Sequence, residues 1–193
     1  MKLLLYCTKA KPYLYKPYEY DCFPNDKASR FYLGDEPLLD IDTNLNGKII
    51  GECDFEVEKI VEESWQSNMT QWYSKDLLKG ACLDCIEMHG YLKDKGGYAI
   101  HLYNIKIYDK PKELSDYYHS ESPLLPITKA PQNMMYCNGV IKTDFKLGDK
   151  VFKNVAYQIE HYVLASVQPY WLCKILNGEK TIEIRKKVLK RML

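Results

Sequence analysis

Between Ser166 and Leu193 the chain concentrates side chains that can hold an anion or move a proton. Lys180, Glu183 and Arg185 stand within six residues of one another. A strand over this run would bury Ile182 and Ile184 and bring Thr181, Glu183 and Arg185 to its other face. Such a surface can read a base edge by hydrogen bonds while Lys186 and Lys187 meet phosphates. From Lys174 to Leu193 seven basic residues face two acidic ones, a local net of +5. The plain reading is an exposed basic terminus with a Glu183–Arg185 surface pair. A Lys180–Glu183 pair can also do acid/base work on a bound water. Pro169 suits the first turn of a helix, Leu172, Ile175 and Leu176 give that helix one apolar face, and Asn177-Gly178 stops it.

A second group is Cys82, Cys85 and His89. Their C-x2-C-x3-H spacing on one helix face can supply three metal ligands. The same residues also complete an ordinary core stripe, and no second ligand pair stands at zinc-finger distance. His101, His119 and His161 lie in no motif. Phosphate loops, redox motifs and Ser-His-Asp patterns are missing, and no cofactor is implied.

The elements that position these groups are legible in part. The length of 193 residues gives one domain, and 27 Lys plus Arg against 26 Asp plus Glu gives a net charge of +1, which excludes binding of nucleic acid by bulk charge. Leu3-Leu4-Leu5 is too short for a signal peptide, and no run is long enough for a membrane span. Seven cysteines without a secretory signal suit reduced thiols in the cytoplasm. Lys2 to Cys7 reads as a buried strand. From Lys48 to Val61, Cys53, Phe55 and Val57 alternate with Glu52, Asp54, Glu56 and Glu58, a strand with an acidic outer face. Ser74 caps a helix that carries Leu77, Leu78, Ala81, Cys82, Cys85, Ile86 and His89 and ends at Gly90. Tyr98 to Tyr108 reads as a long strand, Asp109 to Gly139 as mostly extended or looped, Gly148-Asp149 as a turn, and Val151 to Val167 as mixed strand and loop. Many of the 17 tyrosines fall in the first third, Tyr6, Tyr13, Tyr15, Tyr18, Tyr20 and Tyr32 among them, where rings pin loops onto a sheet or offer a stacking platform.

The run Gln168-Pro169-x-Trp171, followed by Ile175 to Lys186, resembles the opening motif of the ASCH domain family of the PUA-like superfamily. Gly178, Lys180, Glu183 and Arg185 match its G-x-K-x-x-E-x-R pattern. Gly47-Lys48-Ile49-Ile50-Gly51-Glu52 is similar to the family's Gly-Lys-Val-Ile-Gly-Glu strand. Tyr98-Ala99-Ile100 through Tyr108-Asp109-Lys110-Pro111 is similar to its closing strand and tail, and Ala130-Pro131-Gln132 to the Pro-Pro-Gln of phage-borne members. The order departs from the family, because the first piece sits last. A circular permutation accounts for this, with residues 187–193 joining spatially to Met1 and residues 139–167 as the new connection. A strand-swapped dimer and a second domain cut short after its first motif are the rivals.

The resemblance implies an α+β fold: a small β-barrel with peripheral helices, in one domain spanning 1–193, with its opening motif at 166–193. It further implies a cleft lined by Lys180, Glu183 and Arg185 that binds RNA or a modified nucleotide. Trp171 or a nearby Tyr would stack, with Gln168, Lys186 and Lys187 at the rim. A subgroup resembles amidohydrolases that deacylate acetylated cytidine with a Lys at the position of Lys180 and a Thr where this chain has Glu183. The hydroxyl nucleophile is therefore missing, which leaves Lys180 and Glu183 as the catalytic candidates of an amidohydrolase or ribonuclease-like reading. A phage-encoded inhibitor or regulator that binds a protein through tyrosines and the basic end is the third expectation. No membrane partner is expected.

Overall fold

The computed structural model describes residues 1–8, 45, 47–60, 73–92 and 96–192. Most of the Tyr- and Pro-rich first third, including Tyr13, Tyr15, Tyr18, Tyr20 and Tyr32, lies outside them. The described chain is a mostly-sheet α+β fold of eight strands and three α-helices. The strands are β1 (Lys2–Cys7), β2 (Ile49–Ile60), β3 (Gly97–Lys112), β4 (Tyr117–His119), β5 (Ser122–Pro126), β6 (Met134–Leu147), β7 (Lys150–Val167) and β8 (Ile182–Arg185). The helices are α1 (Lys75–Ala81), α2 (Cys85–Leu92) and α3 (Pro169–Leu176).

One mixed sheet runs β5-β4-β6-β7-β1-β2-β3-β8. Only β1 and β7 pair in parallel among the described strands, with Lys2 opposite Tyr162 and Cys7 opposite Val167. The expected barrel is corrected here: the sheet is open, and β5 and β8 are its edges. The physical reason lies in the burial. A small barrel fills one interior face, whereas this sheet buries side chains of both faces under separate layers. Leu3, Leu5, Cys53, Ile100 and Val163 pack with Leu172 and Ile175 of α3 and with Met192. Leu4, Tyr6, Ile49 and Leu164 pack on the opposite side with Tyr117 and Ile127. Alternate residues of β1 therefore serve two cores, which explains an apolar run without polar alternation.

This two-sided burial also changes the reading of β2. Glu56 and Glu58 are exposed as expected, but Glu52 is buried. Its carboxylate accepts hydrogen bonds from Lys2 Nζ at 2.8 Å and Tyr108 Oη at 2.7 Å. Burial alone would raise its pKa, but those donors prevail and hold it below the usual carboxylate value. Gly51 sits where β2 and β3 change register, and a Cβ there would come within 2.4 Å of the Lys106 carbonyl oxygen. Gly51→Ala is expected to lower stability by about 1–3 kcal/mol in a urea titration, because neither backbone can give way freely. A change under about 0.5 kcal/mol would show that the strands separate more easily than this contact implies.

The single helix expected over 74–90 is two helices. The Ser74 hydroxyl does cap the first, accepting from Leu77 N at 3.2 Å. Cys82 then turns left-handed at φ 54°, and Leu83 N bonds back to Leu78 O, closing α1. Asp84 opens α2 with a reciprocal capping box: Glu87 N donates to Asp84 Oδ1 at 2.7 Å and Asp84 N donates to Glu87 Oε2 at 3.0 Å. The Asp84-x-x-Glu87 signal was in the sequence and outweighed the continuous apolar spacing. Val151 to Val167, expected as mixed strand and loop, is continuous strand, paired with β6 through the Gly148-Asp149 turn. Strand β3, helix α3 and the Asn177-Gly178 stop stand where expected, with Gly178 at φ 75°. No helix among the described residues is long and apolar enough to cross a membrane.

Candidate functional site

Three elements converge on the basic end of the chain. Helix α3 leaves β7 with Pro169 in its first turn and packs Leu172 and Ile175 inward. The Gly178 turn reverses the chain, Lys180 N closes it on Lys174 O, and β8 then pairs antiparallel with β3, Ile100 opposite Glu183 and Tyr98 opposite Arg185. Ile182 and Ile184 are buried, as the alternation requires, so Glu183 and Arg185 share the other face. Helix α1 closes the third side. Thr181 N bonds Gly80 O at 2.9 Å, and a Cβ on Gly80 would sit 2.7 Å from Ile182 Cδ1, so the glycine permits this approach.

Lys180, Glu183 and Arg185 form one chain of charges. Lys180 Nζ lies 3.4 Å from Glu183 Oε2, and Arg185 Nη2 lies 2.8 Å from Glu183 Oε1. Side-chain exposure runs 3% for Lys180, 13% for Glu183 and 12% for Arg185. Arg185 also donates to Asn133 Oδ1 at 2.8 Å and to Ser166 O at 2.7 Å, while its Nε is buried with no partner. Lys180 donates to Ala81 O at 2.8 Å, at the carbonyl end of α1, and its ammonium lies 4.7 Å above the Trp171 ring. Burial pulls the Lys180 pKa below that of an ordinary lysine, and Glu183 opposes the change.

These positions refine the expected roles. Lys180 is buried, so its ammonium braces α1 and Glu183 and does not line an open cleft. Trp171 is a partly buried wall beneath that ammonium, in edge contact with Tyr170 at 4.8 Å. Gln168 is exposed at the start of α3 and makes no side-chain cap. Lys186 and Lys187 are exposed, with Lys186 Nζ 4.9 Å over the Tyr91 ring. Cys82, Cys85 and His89 do not share one helix face, because the break at Cys82 separates them, and Cys82 Sγ turns to Glu179 O at 3.3 Å. Among the described residues no group of three His, Cys, Asp or Glu side chains could hold a metal ion.

The site also recruits residues that the motif spacing did not mark. Asn133 bonds Arg185 and, through Nδ2, the Lys187 carbonyl at 3.3 Å. Ser166 supplies its carbonyl to Arg185 and its hydroxyl to Pro131 O at 2.6 Å, pinning the loop that carries Pro131-Gln132-Asn133. Tyr91 and Tyr136 stand beside Lys186 and Arg191. The signal for Asn133 was its place directly after the Ala130-Pro131-Gln132 run, but only the tertiary fold sets it against β8.

The trio carries two cations on one carboxylate, and the neutral acceptors Ala81 O, Ser166 O and Asn133 Oδ1 take further donors, leaving Arg185 Nε without one. Its chemistry is that of a recessed, electropositive, aromatic-walled patch with a band of exposed lysines beyond it. Comparison with protein-family models, curated proteins and solved structures finds no match for this chain.

Proposed function

We propose that the chain binds RNA or a modified nucleotide at the Arg185 patch. The observation that carries this reading is the excess positive charge of the Lys180–Glu183–Arg185 chain beside Trp171 and Tyr91, with Lys186 and Lys187 exposed next to it. A phosphate would neutralise the surplus cation and meet the exposed lysines, and Tyr91, 42% exposed, offers a face on which a base can stack. Lys180 acts as a positioning residue, holding Glu183 and thereby Arg185. The finer architecture in this proposal is a permuted ASCH-type, PUA-like domain. Two features support the permutation: Met192 is buried in one cluster with Leu3 and Leu5, and the motif strand β8 lies alongside β3.

The test is binding of a short single-stranded RNA, with and without modified cytidines, across a salt series. Intact chain is expected to bind with affinity falling steeply as salt rises. Replacing Lys186 and Lys187 by Ala is expected to flatten the log K against log salt slope by about 1.4, about 0.7 for each phosphate contact on a single strand. An intact chain that fails to bind at low salt overturns the reading. One observation favours a second reading: Lys180 Nζ lies 3.4 Å from Glu183 Oε2, a pair that suits proton transfer in a nucleoside hydrolase if the cover over Lys180 opens to admit the substrate. Turnover of acetylated cytidine, lost in Lys180→Met while the chain stays folded, would select it.

A further inference from the structure

The β6–β7 hairpin runs well past the sheet that anchors it. Pairing of β4 with β6 ends at Gly139, and pairing of β1 with β7 ends at Tyr162. From Val140 to Glu160 the two strands pair only with each other among the described strands, with a bulge on β7 opposite Asp144. Eight residues of β6 lie in this arm, about 27 Å of strand. Ile141, Phe145, Leu147, Val151, Phe152, Tyr157 and Ile159 are all exposed on it, Leu147 at 64% and Tyr157 at 65%. These seven are more than half of the large apolar side chains exposed among the described residues. A two-stranded ribbon is marginal in water by itself; this one exposes Ile141, Phe145, Leu147 and Phe152 on one face and Val151, Tyr157 and Ile159 on the other, and with two unpaired strand edges among the described residues it is a pairing element.

Charge on the arm discriminates among occupants. Lys142, Lys146, Lys150 and Lys153 face Asp144, Asp149 and Glu160, a net of only +1. That balance gives little pull on a polyanion or an anionic bilayer, whereas interspersed signs can be self-complementary. In the register that centres a two-fold axis on residue 155, antiparallel β7 edges set Lys150 of each copy beside Glu160 of the other, a carboxylate that also accepts from Tyr162 Oη. The same register sets Val151 beside Ile159. The area also suits this arrangement. Two arms of this length, docked together, bury on the order of 600–800 Å² per copy, close to a standard specific interface.

We propose that the β6–β7 arm is a dimerisation arm whose occupant is the same arm of a second copy of this chain, arranged about a two-fold axis.

The test is sedimentation velocity of the full chain under reducing conditions over a concentration series. The intact chain is expected to sediment as a dimer. The exposed changes Phe152→Asp with Tyr157→Asp are expected to weaken association at least 100-fold, leaving a monomer with unchanged far-ultraviolet dichroism. A second variant keeps the proposal open to refutation if those aspartates perturb folding. Val151→Cys with Ile159→Cys is expected to form a disulfide-linked dimer on mild oxidation, and neither single change to do so. Within one chain the two positions are eight residues apart along a strand and cannot meet. An intact chain that stays monomeric at tens of micromolar overturns the proposal, as does a dimer indifferent to the aspartates. Open-ended association, capture of the arm by RNA or vesicles without a dimer, or cross-linking by a single cysteine variant would overturn it equally.

Discussion

Glu183→Ala is expected to cost the fold about 3–5 kcal/mol, while Lys180→Met leaves stability within about 1 kcal/mol of the intact chain. The asymmetry follows from what each change leaves behind. Glu183 is the carboxylate that two largely buried cations share, Lys180 at 3.4 Å and Arg185 at 2.8 Å. Its removal leaves both without a counter-charge in a largely buried site, held only by the neutral acceptors Ala81 O, Asn133 Oδ1 and Ser166 O. Removing Lys180 instead takes a buried charge away. It forfeits one hydrogen bond to Ala81 O, worth about 1 kcal/mol, and Met refills the space over Trp171. Urea titrations of the two single variants and of Lys180→Met combined with Glu183→Ala give the coupling. If Glu183→Ala costs less than about 1 kcal/mol, the three charges do not act as one unit, and the positioning role of Lys180 falls with it.

Stability is expected to drop steeply above pH 9, by on the order of 5 kcal/mol by pH 10.5. Burial pushes the thiols of Cys53 and Cys137 up to about 12 and that of Cys7 up to about 11. Between the ordinary thiol value of 9.0 and those raised values, the unfolded chain releases protons that the folded chain keeps, so each rise in pH favours unfolding. Tyr117, raised by burial to about 12, and Tyr108 and Tyr162, raised further, act with the same sign above 10. Lys180 acts with the opposite sign. Its lowered folded pKa means that the unfolded chain holds the extra proton up to 10.5, so this one group gains stability as pH rises. Six groups against one settle the direction. Urea midpoints from pH 7 to 10.5 in reducing buffer measure the slope, and Cys53→Ala with Cys137→Ala should make it shallower. A flat profile would mean that these thiols reach water in the folded chain.

Local grammar set most of the elements around the site. Pro169 and Asn177-Gly178 bracket α3, and the alternation of Ile182 and Ile184 with Glu183 and Arg185 was enough to place the acid and the arginine on one face of β8. These are short-range effects of backbone preference and side-chain direction, so nearby residues carry them. The break at Cys82 is short-range as well, carried by Asp84-x-x-Glu87, and the apolar spacing across it was the weaker guide.

Burial obeyed longer-range partners. Lys180 reads as a surface lysine until α1 covers it and offers Ala81 O, and Glu52 reads as an outer-face acid until the chain from Leu114 to Ile127 covers that side of the sheet. Asn133 and Ser166 enter the site only because β7 ends beside the Pro131 loop. The sequence by itself determined which side chains alternate, which turns reverse the chain and where the positive charge gathers. Tertiary structure alone decided that the sheet stays open, that both its faces are covered and that the β6–β7 arm stands free, because these depend on contacts between residues far apart in the chain.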